Sequence, residues 1–148
     1  MKKIILILSL CLSLLGLSSI TYAAEWNWIA SNDSTTISFD KDSIRKSEDD
    51  KYFAWIKYEH TESEGAKISD DLKLAEPISY QLHRLEFDYK NESIKTQPVV
   101  IYDKNGTPLA SYTDKYSLER FEPIIPGSIG EKIFYATFAE YQNKYGKV

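Results

Sequence analysis

The chain has 148 residues, with 18 basic against 22 acidic side chains and a formal net charge of −4. At ~100–200 residues per domain this is one domain, and its 43% hydrophobic and 14% aromatic content excludes a disordered chain. The acidic balance argues against general nucleic-acid binding, which needs a basic surface to displace counterions. Six Gly and five Pro exclude collagen-like material.

Lys2 and Lys3 precede a nearly unbroken apolar run from Ile4 to Ile20, followed by Thr21-Tyr22-Ala23 with small residues at both ends. That is the layout of a secretory signal peptide over 1–23, cleaved after Ala23. A transmembrane span needs ~20 apolar residues and usually a basic stop, whereas here the flank is Ala24-Glu25-Trp26. The only cysteine, Cys11, lies inside the run behind Leu10, where a lipidation signal requires a small residue. The expectation is a single domain over 24–148, periplasmic, secreted or at the cell surface, with no membrane span and no disulfide.

Short strands come first. Trp26, Trp28 and Ala30 alternate, Asn32-Asp33-Ser34 breaks the run, and Thr35, Ile37 and Phe39 alternate again. The polar stretch from Lys41 to Lys51 loops out, with Ile44 reaching back to the core. Tyr52 to Glu59 is the strongest strand, with Tyr52, Ala54, Ile56 and Tyr58 on one face and Phe53 and Trp55 on the other. Apolar groups on both faces suggest a central strand covered on each side at its start. His60 to Glu76 is acidic and reads as a solvated loop.

Tyr80 to Lys90 changes phase from Tyr80/Leu82 to Leu85/Phe87/Tyr89, which a β-bulge near His83-Arg84 would produce. Pro98 gives the strand from Ser93 to Tyr102 an edge position or a bulge. Asp103-Lys104-Asn105-Gly106 signals a hairpin, and Thr107 to Thr113 returns. Between Asp114 and Pro126 there is no clear period. Ser128-Ile129-Gly130-Glu131 fits a capping box, and Phe134, Phe138, Tyr141 and Tyr145 then mark one face of an amphipathic C-terminal helix, widened by Ile133 and Thr137. The class is α+β: an antiparallel sheet of about five or six strands on one C-terminal helix.

Reactive constellations are sparse. Pro126-Gly127-Ser128-Ile129-Gly130 misses the nucleophile elbow by its first glycine, and Ser128 as a helix cap explains the same residues. His60 and His83 have no acid at a telling spacing. The acidic loop of Asp40, Asp42, Glu48, Asp49 and Asp50 fails the EF-hand pattern, because Arg45 and Lys51 stand where Gly and Glu are required. Zinc ligands and phosphate-binding glycine loops are missing, so no catalytic, metal or cofactor residue is assigned. Aromatics out of phase with the core, Tyr112, Tyr116 and one of Trp26 and Trp28, are the candidates for a binding face.

Trp28-Ile29, Phe39-Asp40 with Ser43-Ile44, Trp55-Ile56-Lys57, Tyr102-Asp103 with Gly106, and Ile125-Pro126-Gly127-Ser128 with Glu131 together resemble the surface-adhesin protein E family of Gram-negative bacteria. The resemblance covers nearly all of 24–148. It implies an exported β-sheet domain with a C-terminal helix and no catalytic activity, and its best-known member binds host vitronectin and laminin. The family usually carries a cysteine pair whose matching positions here are Tyr89 and Phe138, so the resemblance implies that these two side chains meet. The family's basic matrix-binding segment corresponds to 76–95, which here holds only Arg84, Lys90, Lys95 and a histidine. The family adhesin's lipid anchor is missing.

The functional expectation is a non-enzymatic exported domain that binds a protein or cell-surface ligand, such as a host matrix or envelope protein. The alternatives are a small periplasmic enzyme or enzyme inhibitor using Ser128 or His83, and a structural envelope protein that dimerises through an edge strand.

Overall fold

A computed structural model describes residues 24–48, 50–112 and 120–147. The elements in chain order are β1 (Trp26–Ser31), β2 (Thr35–Asp40), a 3-10 turn (Lys41–Ser43), β3 (Arg45–Lys46), β4 (Lys51–His60), α1 (Glu62–Leu72), β5 (Tyr80–Asp88), β6 (Ser93–Tyr102), β7 (Pro108–Tyr112), β8 (Glu122–Pro123) and α2 (Ile129–Tyr145). The strands make one antiparallel sheet in the order β1-β2-β4-β5-β6-β7, with β3 on β4 and β8 on β6. The α+β class with a C-terminal helix holds.

The alternating side chains of β4 set the two faces. Tyr52, Ala54 and Ile56 are fully buried, as are Phe87 and Ile44, and with Phe39, Leu85, Ile133, Phe134 and Tyr141 they form the core between sheet and α2. Ile44 reaches the core from the polar loop, as its sequence context requires. The centre is an aromatic stack: Tyr52 lies 4.9 Å from Phe87 and 4.8 Å from Tyr141, centroid to centroid. The buried Tyr52 hydroxyl is satisfied by Thr137 at 2.9 Å. Tyr89 and Phe138 stack at 5.3 Å, so the two side chains that the resemblance implies should meet do so through their rings.

The register locates the β-bulge expected near His83-Arg84. Strand β5 runs in unbroken register with β4 from Lys51↔Asp88 to Glu59↔Tyr80, and the shift appears in its pairing with β6 between His83 and Leu85, which face Val99 and Thr96. The extra residue therefore falls at Gln97-Pro98, where a missing N–H is tolerated. The other face of β4 is covered in part: Glu86 opposite Phe53 and Asp88 opposite Lys51 are buried at its start, while Phe53 and Trp55 themselves are half-buried.

The segment read as a solvated loop contains helix α1. Thr61 caps it by accepting from the Glu64 N–H, and Lys73 ends it in the left-handed conformation at φ 55°. Its buried residues are Gly65 and Ser69, not large apolar groups. Ser69 Oγ accepts from the Ile78 N–H at 2.9 Å, fixing the helix to the chain entering β5. The hairpin at Asp103–Gly106 forms as expected, with Asp103 Oδ1 accepting from Asn105 and Thr107 N–H groups and Gly106 at φ 79°.

Candidate functional site

Because opposed residues in an antiparallel ladder share a face, the register defines the surface turned away from α2. It carries Trp26 and Trp28 from β1, Phe53, Trp55 and Lys57 from β4, Tyr80, Leu82 and Arg84 from β5, and Val100 and Tyr102 from β6. Among the described residues no helix covers it. Trp28 is the most exposed of its aromatics, at 66% of full accessibility. Lys57 sits 5.1 Å from the Trp26 ring and ion-pairs Glu59 at 3.1 Å. Tyr80 and Tyr102 stack at 4.8 Å. Half-buried rings interleaved with charges are chemistry for a polar ligand that also presents apolar surface.

Towards β8 the face closes over a buried carboxylate. Glu86 accepts from Lys95 Nζ and from Ser47 Oγ, each at 2.8 Å. Burial pushes its pKa up, but the hydrogen bonds from Lys95 and Ser47 outweigh that and hold it below the ordinary glutamate value. Phe121 lies 4.9 Å from Lys95. At the opposite corner, beside the 3-10 turn, a cavity of about 530 Å³ is lined by Asp42, Arg45, Phe53, Trp55, Arg84 and Lys144, among others. The Arg84 guanidinium lies 4.1 Å over the Phe53 ring.

The sequence candidates distribute as follows. Trp26 and Trp28 both belong to the open face. Tyr112 is exposed on edge strand β7, and Tyr116 lies outside the described residues. Ser128 caps α2, accepting from the Glu131 N–H at 3.2 Å, while the Glu131 carboxylate accepts from Gly127 N–H at 2.8 Å, one residue earlier than in a standard capping box. His83 bonds Gln81 Oε1 at 3.0 Å and packs 4.5 Å from the Tyr58 ring. Burial, helped by the charge of nearby His60, pushes its pKa down to about 4. His60 shares a hydrogen bond with Thr35 Oγ1 at 3.1 Å, and its buried Nε2 has no partner. Its pKa is lowered by burial, against the pull of Glu64.

The acidic loop is used locally. Asp40 accepts from the Asp42 N–H, Glu48 pairs Lys51, and Asp50 accepts from the Tyr89 hydroxyl; Asp49 lies outside the described residues. Among these residues no group of three His, Cys, Asp or Glu side chains is placed to hold a metal ion. The notable group that spacing missed is Arg84. Its sequence signal was present as an arginine directly opposite Trp55, but cross-strand pairing is invisible until the register is known.

Among the described residues no helix is long and apolar enough to cross a membrane. No curated protein matches the chain. A family model described as surface-adhesin protein E matches residues 26–137, from the start of β1 to the middle of α2, and the chain belongs to that family.

Proposed function

We propose that the protein is an exported, non-enzymatic binding domain that holds a protein or cell-surface ligand against the open face of its sheet. The observation that carries this reading is that face itself, with Trp28 two-thirds exposed beside Trp26, Lys57 and the Trp55–Arg84 pair. A tryptophan two-thirds exposed leaves most of its ring area to be buried by a partner, and tryptophan is a favoured anchor in interfaces. Family membership supports a surface role, and the leader over 1–23 supports export. The enzyme alternative loses its reactive groups: Ser128 is engaged as a cap and His83 is buried against Tyr58 with an amide as its polar partner.

The basic segment of the family adhesin has little counterpart here, since Lys95 is engaged by Glu86 and Arg84 lies over Phe53. Host matrix proteins therefore stand beside the producer's own envelope as targets. The test is binding of the protein purified from the cell to both sets of surfaces. Trp28→Ala is expected to retain its melting temperature and to lose at least ~10-fold in affinity, the scale of a truncated interface anchor. Binding unchanged by Trp28→Ala overturns the open-face reading. An N-terminus at Ala24 is the expected product of export.

A further inference from the structure

The corner cavity holds charges of both signs that do not neutralise one another. Arg84 projects from the central strand β5, half-buried, and its guanidinium lies over Phe53 at 4.1 Å with no ion pair or hydrogen bond among the described residues. A cation–π contact leaves the five N–H donors of a guanidinium available to an acceptor. Arg45 donates only to the backbone carbonyls of Asp42 and Ile44. Lys144 likewise donates to the Ile44 carbonyl at 3.1 Å and otherwise lies 5.8 Å from its neighbour Tyr145's ring. The exposed Asp42 carboxylate on the same wall has no ion-pair partner among the described residues either. Arg45, Arg84 and Lys144 against the carboxylates of Asp40 and Asp42 leave the lining one positive charge in excess, in a chain of net charge −4. A half-buried, unpaired arginine carries a desolvation penalty that a bound anion would relieve.

The remaining lining narrows the ligand. Trp55 stands directly opposite Arg84 in the ladder and offers an aromatic face. A small inorganic anion would leave Trp55 unused and would meet Asp42. A neutral sugar would leave Arg84 unpaired. A saturated ring that carries one carboxylate and several hydroxyls fits all three walls. The volume of about 530 Å³ lies within the ~300–1,000 Å³ typical of small-ligand pockets.

We propose that this corner is a subsite for an acidic sugar, uronate or sialate, of a surface glycan: Arg84 takes the carboxylate, Trp55 the ring face and Asp42 the hydroxyls. Arg45 and Lys144 supply the surrounding positive potential. The proposal rests on the open-face reading and names its ligand.

The experiment is a titration of the purified protein with sialyllactose, a glucuronate disaccharide and neutral lactose, followed by the indole N–H signals of the tryptophans. One acidic sugar is expected to shift the Trp55 indole and to bind at least ~10-fold more tightly than lactose, the discrimination carried by a charge-assisted bidentate contact. Arg84→Gln is expected to abolish that preference while melting at the wild-type temperature. The exposed Asp42→Asn keeps the test valid should Arg84→Gln fold poorly: it is expected to weaken all three sugars. Lactose binding as well as both acidic sugars, an acidic peptide displacing them at equal concentration, or a shift confined to Trp28 overturns the proposal. Cell-surface binding lost in Trp28→Ala but intact in Arg84→Gln overturns the acidic sugar and leaves the open-face reading standing. Binding intact in both variants overturns both.

Discussion

Gly65 shows how one residue can fix an element that carries little apolar surface. A Cβ added there would stand 2.0 Å from the Ile78 carbonyl oxygen and 3.1 Å from its carbon, both backbone atoms that cannot swing aside. Glycine ordinarily costs a helix ~1 kcal/mol relative to alanine, so its replacement would normally stabilise. Here Gly65→Ala is expected to destabilise by ~2–3 kcal/mol, the scale of an overpacked interior, as measured by denaturant unfolding. At Ser128 the side chain caps α2. Ser128→Ala is expected to cost ~1 kcal/mol, while Ser128→Asp is nearly neutral because its carboxylate also caps and suits the helix dipole. A stable Ser128→Ala variant that had lost a hydrolytic activity would reverse the assignment.

Helix α2 is held to the sheet through rings. Phe138 lies 5.3 Å from Tyr89, 5.5 Å from Phe134 and 6.2 Å from Tyr52, all stacked. It remains partly accessible, so Phe138→Ala is expected to cost ~2–3 kcal/mol, below the ~3–5 of a fully buried Phe. The specific worth of the Tyr89–Phe138 contact is a separate quantity. A double-mutant cycle with Tyr89→Ala is expected to give a coupling of ~0.5–1.5 kcal/mol. A coupling of zero would mean that the two positions contribute independently. The Tyr89 phenol also donates to Asp50 at 3.1 Å, so Tyr89→Phe separates the hydrogen bond from the stack.

The whole molecule is expected to lose stability on mild acidification because two histidines on the helix side of the sheet are held neutral. His83 has its pKa lowered to about 4, and that of His60 is also lowered. In the unfolded chain both titrate near the ordinary histidine value of ~6.5. Between that value and the folded one, the unfolded state binds more protons, so stability is complete above pH ~6.5 and falls as the pH drops towards 4. The His83 contribution is ~3 kcal/mol at ~1.4 kcal/mol per pH unit. The depressed carboxylates Glu86, Asp88 and Asp103 begin to lose their contribution as the pH nears the unfolded carboxylate values of ~4, so the interval from pH ~6.5 to ~5.5 isolates the histidines. Chemical denaturation across that interval is expected to show the slope in the wild type and a shallower one in His83→Leu. An unchanged slope would place the acid sensitivity elsewhere.

Local pattern by itself determined most of the sheet and the terminal helix. Alternation marked β1, β2 and β4, Asn105-Gly106 marked the hairpin, and Ser128 with the Phe134, Phe138, Tyr141 series marked α2, because each depends on residues adjacent in sequence. Helix α1 was hidden because it buries Gly65 and Ser69, which leave no apolar stripe. Its Thr61 cap with Glu64 three residues on was the one local sign. Placement of the extra residue on β6 and not on β5, the partial exposure of the second β4 face and assembly of the site were decided by tertiary structure alone. Pro98 announced an irregularity, but only pairing with β5 places it opposite Arg84. Phe53 and Trp55 look like core in a linear pattern, since periodicity reports which side chains share a face and not whether that face is covered. Asp42, Trp55, Arg84 and Lys144 come from four separate elements, and their meeting depends on strand register and helix docking, long-range contacts that no spacing along the chain encodes.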